Sequence, residues 1–249
     1  ISVLKDAAAS SIYGVRAANG VILINTKRGS VSAPSVNLRV EQSIQAPTKL
    51  PQFIGAAEYM SLLNTLQSDP NKRLFTKDQI LKTYYGYDKD LYPDVDWIDA
   101  ITKDYANSTR ANLTVSGGTE ILRYSLTASL YHENGIMGSD KTLPYDTQSK
   151  LNRYNIRANV ETKIADIITF GTQTYGTKEF KDPGSTSMTY LLQAWPGQTP
   201  IYDGKYGASE HPEVTQKDNI LQQVAAQGGQ NTYTRLNTTW YANIELPLK

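Results

Sequence analysis

Apolar and polar residues alternate with a period of two along several stretches of the chain. Over residues 151 to 164, Tyr154, Ile156, Ala158, Val160 and Ile164 oppose Arg153, Asn155, Arg157, Asn159, Glu161 and Lys163. Successive side chains of a strand point to opposite faces, so this spacing predicts a ribbon with one oily and one wet side. Val36, Leu38 and Val40 stand in the same relation to Asn37, Arg39 and Glu41. So do Leu122, Tyr124, Leu126, Ala128 and Leu130 to Arg123, Ser125, Thr127, Ser129 and Tyr131. Leu236, Trp240, Ala242, Ile244 and Leu246 likewise oppose Arg235, Asn237, Tyr241, Asn243 and Glu245. Residues 168 to 178 keep the rhythm poorly, because Thr172, Thr174 and Gly176 dilute the apolar side.

The connections alternate in length. A strand over 36 to 45 is followed by a long stretch with two predicted helices, at 55 to 66 and 76 to 85, the second opened by a Thr76 and Gln79 capping box. The strand over 110 to 116 then turns at once, through Gly117, Gly118 and Thr119, into the strand over 121 to 132. A medium loop leads to the strand over 151 to 164, which turns through Ala165, Asp166 and Ile167 into the strand over 168 to 179. Another long loop precedes the strand over 232 to 246. Long loops at one end and tight turns at the other are the plan of an up-and-down transmembrane β-barrel. Strands this long suit it, since about 9 to 11 tilted residues cross the hydrocarbon. Six such strands do not close a barrel, so the stretch reads as an interior piece of a longer polypeptide.

The first residues follow a different pattern. Residues 3 to 13 predict a short helix, with Ser2 as its cap, Ala7 to Ala9 in its body and Gly14 as its left-handed terminator. Asn19 and Gly20 then form a turn into an apolar strand over 21 to 24, whose unbroken run predicts cover on both faces. Residues 30 to 34 read as a linker.

Composition narrows the function classes. The chain has 249 residues and a net charge of +1, which gives no nucleic-acid footprint. It contains no Cys, so disulfide frameworks, thiolate metal sites and cysteine nucleophiles are excluded. No run approaches the ~18 apolar residues of a membrane helix, and a mean hydropathy of -0.45 is compatible with a barrel. Tyr outnumbers Phe by 17 to 4, as suits rings at a wet interface or along a polar lumen.

Val3-Leu4-Lys5-Asp6-Ala7, Ile12-Tyr13-Gly14, Arg16 to Ile24 and Thr26-Lys27-Arg28-Gly29 together resemble the last segment of the plug domain in SusC/RagA-type TonB-dependent outer-membrane transporters. Asp96-Trp97-Ile98, Leu113 to Gly118 with Tyr124-Ser125-Leu126, and Glu133 to Ile136 with Arg153 to Asn159 resemble that family's first barrel strands, in its order. The resemblance implies three parts: the C-terminal end of a plug domain over 1 to 29, a linker over 30 to 34, and about the first six strands of an outer-membrane β-barrel with their extracellular loops over 35 to 249. It implies a mainly β fold taken from a 22-stranded barrel, with helices in the first and third long loops. It further implies an importer in the outer membrane of a Gram-negative bacterium, with oligosaccharide or peptide cargo. The partners would be TonB, acting through a segment absent from this sequence, and a SusD-like surface lipoprotein over the mouth. No enzyme activity and no cofactor are implied. A passive porin and a secreted carbohydrate-binding β-domain are the alternatives.

Candidate sites follow from these faces. Arg153, Asn155, Arg157 and Asn159 read as wall residues that hold the plug by hydrogen bonds. Tyr190, Trp195, Gln198, Tyr202 and Tyr206 in the last long loop could stack on sugar rings or grip a peptide, but the better account of Tyr190, Leu191, Leu192 and Trp195 is the packing face of a loop helix or a contact with the lid lipoprotein. Asp88, Asp90, Asp94, Asp96 and Asp99 superficially match a calcium loop. Pro93 occupies the position that needs Gly and Tyr92 replaces an oxygen ligand, so a solvated acidic loop with Asp96 capping a helix at Trp97 is the better account. His132 and His211 are far apart in sequence and support neither a metal site nor a catalytic set.

Overall fold

Each stretch with period-two alternation forms a strand, and each pairs with its neighbour in the chain. The computed structural model describes residues 2–5, 11–14, 17, 20–24, 26–137, 148–165, 167–182, 191–202, 204–207, 219–226 and 229–246. In chain order the strands are β1 (Ser2–Leu4), β2 (Val21–Leu23), β3 (Ser32–Gln45), β4 (Ala106–Gly118), β5 (Leu122–Asn134), β6 (Lys150–Ala165), β7 (Ile168–Asp182), β8 (Ile201–Tyr202), β9 (Lys205–Tyr206) and β10 (Asn231–Ile244). The helices are α1 (Ala56–Leu66), α2 (Lys77–Tyr84), α3 (Trp97–Ile101) and α4 (Ile220–Ala226).

β3, β4, β5, β6, β7 and β10 make one antiparallel meander of 6 strands in the order β10-β7-β6-β5-β4-β3. Register places like with like across it. One line runs Leu38, Leu113, Ala128, Ile156, Gly176 and Leu236, and the next runs Asn37, Thr114, Thr127, Arg157, Tyr175 and Asn237. The sheet therefore has an apolar and a polar face. β7 takes its place despite weak alternation because its backbone is bonded on both sides, to β6 and β10. Among the described residues nothing covers the apolar face: Ile156 is 57% exposed and Leu38 66%.

β3 begins inside the stretch read as a linker. A register shift between Ser32 and Ser35 absorbs Pro34, which has no amide hydrogen to give the ladder.

The opening segment departs from the predicted helix. Ser2–Leu4 is a strand, paired antiparallel with Val21–Leu23 in the register Ser2 to Leu23 and Leu4 to Val21. A single 3₁₀ turn covers Ser11–Tyr13. The pairing takes the first residues of the predicted helix into a strand, and Ala7 to Ala9, its expected body, lie outside the described residues. Gly14 and Gly20 hold φ of 71° and 94°, the left-handed region that glycine enters without penalty. Among the described residues no layer covers this two-stranded ribbon, and Ile22 is 66% exposed where cover on both faces was expected.

The long connections leave from the opposite end of the sheet to the tight turns, and they pack on one another. α2 has the predicted capping box, with Thr76 accepting from the Gln79 amide and Gln79 from the Thr76 amide. Two apolar clusters form. Trp97, Ile98, Ile101, Leu191 and Ile220 make one, and Met60, Phe75 and Trp195 the other. Each joins residues of the first long connection to residues of the last. Among the described residues no helix is long and apolar enough to cross a membrane, which says nothing of crossing by strands.

Candidate functional site

The polar face of the meander carries a docked segment near the tight turns. Asn159, buried on β6, donates its Nδ2 to the Lys27 carbonyl at 2.7 Å and to Thr26 Oγ1 at 3.2 Å. One turn-ward position along the same face, Glu161 accepts from Arg28 Nη1 at 2.9 Å and also from the Tyr241 hydroxyl. The Arg28 guanidinium lies 5.6 Å from the Tyr241 ring centroid, so charge pairing and ring contact act on one side chain. Gly29 lets the backbone approach closely. A Cβ there would fall 2.3 Å from the Tyr124 amide nitrogen and 2.7 Å from its carbonyl oxygen, both main-chain atoms that cannot step aside.

Above this dock the wall satisfies itself. Asn155 donates to Ser129 Oγ at 3.2 Å and accepts from Thr177 Oγ1 at 2.7 Å and from the Tyr175 hydroxyl at 3.3 Å. Arg153 pairs with Glu179 at 2.6 Å, and Arg157 lies over the Tyr175 ring at 5.5 Å. These groups, with Tyr233 and Arg235, line an open polar depression. Of the residues expected to hold the opening segment, Asn159 touches it. The described partners of Arg153, Asn155 and Arg157 are other wall residues. Glu161 and Tyr241 were missed. Their signal was a carboxylate and a phenol on the wet side of neighbouring hairpins, but alternation within a strand carries no register to pair them with Arg28.

The loop residues proposed for cargo fall as follows. Trp195 is 3% exposed, its ring against Tyr59 at 5.1 Å and stacked on Phe75 at 5.6 Å. Gln198 is equally buried and donates to the Gly207 carbonyl. Trp195 joins the two long connections, which is the packing role weighed beside cargo contact, and Gln198 braces the last loop on itself. Tyr202 and Tyr206 lie on the β8-β9 hairpin, paired with Lys205 and Ile201. Tyr190 lies outside the described residues, as does His211.

The acidic run is spent on local structure. Asp96 caps α3, accepting from the Ile98 and Asp99 amides, and Asp94 accepts from the Ala56 amide at the start of α1. Asp88 accepts from the Asp90 and Leu91 amides. Among the described residues no group of three or more His, Asp or Glu gathers as a metal site. His132 meets Asn152 at 2.7 Å. Lys82, in the first loop, is held above its ordinary pKa by its hydrogen bond to Asp78, so it stays cationic beside Tyr87 and Tyr92.

A two-faced meander, with long connections at one end and a segment on its wet side, can be compared with known proteins. No family model matches the chain. A TonB-dependent receptor, P26, of Formosa agariphila is 27% identical over 211 residues, which is 83% of this chain and 19% of that protein. The TonB-dependent receptor SusC of Bacteroides thetaiotaomicron is 33% identical over 138 residues, 55% of this chain and 12% of SusC. The chain is thus similar in sequence to TonB-dependent receptors, SusC among them. In fold, the chain resembles the RagAB peptide transporter over 99% of its own length and 30% of that chain, with a TM-score of 0.68 and 22% identity. A second RagAB structure, the importer in its closed-closed state, gives 0.69 over the same share. The chain spans less than a fifth of the length of these curated relatives.

Proposed function

We propose that this chain is the junction between plug and wall in an energy-coupled outer-membrane importer. Residues 1 to 29 are the end of the plug, 30 to 34 lead into the wall, and 35 to 249 supply about six strands of a 22-stranded barrel whose apolar face meets lipid. The import is of oligosaccharide or peptide, driven by TonB and assisted by a SusD-like lipoprotein over the mouth formed by the long loops. The whole is a transporter and carries out no catalysis. The observation that carries the reading is the seating of Thr26, Lys27, Arg28 and Gly29 on the polar face, while the opposite face stays bare and oily. A passive porin has no use for that dock, and a secreted domain would bury the oily face.

The test is permeability. In the full-length receptor, Gly29→Ala drives a methyl group into the Tyr124 backbone and unseats the junction. Cells carrying it, with the receptor at wild-type abundance, are expected to become sensitive to vancomycin, a solute too large for an intact outer membrane. Arg28→Ala is expected to do less, since an ion pair with one partner 56% exposed contributes about 0 to 1 kcal/mol. Unchanged sensitivity in Gly29→Ala cells would remove the plug assignment.

A further inference from the structure

The hydrogen bonds of the wall above the dock close among its own residues, but its charges do not balance. Beyond Asn159 three lines of register cross the wet face toward the long loops, each about 7 Å from the next. The first holds Arg157, the second Arg39 and Arg235, and the third Glu41, Arg110, Arg153 and Glu179. Their other members are uncharged, so five guanidiniums share the lines with two carboxylates. Both carboxylates are taken, Glu41 by Arg39 and Glu179 by Arg153. Glu133, one line nearer the mouth, accepts from the Tyr131 hydroxyl and shares its line with Lys181.

Arg110 lies over the Tyr131 ring at 5.2 Å and Arg157 over the Tyr175 ring at 5.5 Å, contacts that seat a guanidinium without neutralising it. Arg235 stands beside the Asn237 amide. Among the described residues neither Arg157 nor Arg235 has an acidic partner of its own. These two line the polar depression of about 500 Å³ together with Asn155, Tyr175, Thr177 and Tyr233. It continues past Ser129 and Arg153 into a second, of about 380 Å³, lined by Arg39 and Arg110. Arg157 and Arg235 flank β7, with backbones about 12 Å apart by strand spacing. Long side chains from both therefore serve one short anionic oligomer.

We propose that this trough binds carboxylate groups of an anionic cargo, with Arg157 and Arg235 taking the charge. This rests on the importer reading above and narrows its cargo. A guanidinium meets a carboxylate with two parallel hydrogen bonds and stays charged at every working pH. The hydroxyls, amides and phenol rings between the arginines suit the rest of an oligomer. Position favours cargo over the receptor's own plug, because the trough lies between the docked segment and the long loops. A solute entering from the mouth reaches it before Thr26 to Gly29. The carboxylates belong to uronic acid units or to acidic peptide side chains, and the probes below separate the two.

The test measures binding of labelled hexagalacturonate, hexaglutamate and uncharged maltohexaose to the full-length receptor in detergent. At least one acidic probe is expected to bind about tenfold or more tightly than maltohexaose, less so as salt rises, and the tighter of the two names the source. Arg157→Gln and Arg235→Gln are each expected to weaken that probe about tenfold, the effect of losing one charge-assisted hydrogen bond, at unchanged heat-modifiable mobility. Lys178→Gln removes the same charge from the opposite face, in register with Tyr154, and is expected to leave binding as it was. Acidic probes that bind no better than maltohexaose, or a Lys178→Gln variant as weak as the arginine variants, would overturn the proposal. Arginine variants that bind normally but make cells sensitive to vancomycin would overturn it too, because both side chains would then hold the plug. Charge-dependent binding in detergent, with no TonB-dependent uptake of either acidic probe by cells, would instead overturn the importer reading and leave the anion site standing.

Discussion

Lysine in place of Ile156 is expected to remove most of the folded full-length receptor from the outer membrane, whereas lysine in place of Asn155 is expected to leave much of it there. The two positions are adjacent on β6 and point to opposite faces. Ile156 lies on the register line of Leu113, Ala128 and Leu236, in the middle of the apolar run, and its side chain covers Gly176. A lysine there costs about 2 to 4 kcal/mol near the bilayer midplane. At position 155 a lysine forfeits hydrogen bonds to Ser129, Tyr175 and Thr177, each a net contribution of about 1 kcal/mol, but it enters a wall already lined with polar groups. Heat-modifiable gel mobility of outer-membrane fractions measures the folded share. Equal losses would mean that the oily face does not meet lipid.

This contrast could be framed from the sequence because period-two alternation is local. Arg157 and Ile156 declare their faces by their neighbours alone, and the strand bounds followed to within a few residues. The capping box at Thr76 and Gln79 and the cap at Asp96 were legible for the same reason, since each lies within one turn of the helix that it serves. The opening segment was misread where local preference and long-range pairing disagree. Nothing within Ser2-Val3-Leu4 announces that residues 21 to 23 will come back beside it.

The functional dock was half legible. Asn159 could be named as a holder because a wet face must meet something, but the pairing of Arg28 with Glu161 spans 133 positions and depends on where the tight turns set the register. The loops were the least legible part. Their aromatic residues invite a binding role as long as the partner of each ring is unknown. Once Trp195 is found between Tyr59 and Phe75, the same residues account for how two distant connections become one body.

That joining has a measurable consequence. Replacing Trp195 by Ala is expected to separate the first long connection from the last while the meander stays intact. The ring is 3% exposed and fills the space between α1, Phe75 and the turn after Leu191, so its loss costs about 3 to 5 kcal/mol. Its main chain matters as well: the Trp195 carbonyl accepts from Trp97 Nε1 at 2.8 Å, and the next carbonyl, of Pro196, accepts from the Val95 amide at 2.8 Å. These bonds tie residues 95 to 97 to residues 195 and 196 at the mouth end. Trp97→Phe keeps an aromatic ring but gives up part of the indole volume and the Nε1 donor, while the Trp195 carbonyl still accepts from the Gln198 amide at 3.3 Å, so a smaller loss of about 1 to 3 kcal/mol is expected. Limited proteolysis of the full-length receptor in outer-membrane vesicles reads this directly, with new cuts between α1 and α2 and after residue 195 in Trp195→Ala, fewer in Trp97→Phe, and unchanged heat-modifiable mobility in both. If the loops cover the mouth as one body, as proposed above, the same variants should weaken retention of the proposed SusD-like lipoprotein in step with the new cuts. A Trp195→Ala receptor with the wild-type cleavage pattern would show that the two connections hold together by other means.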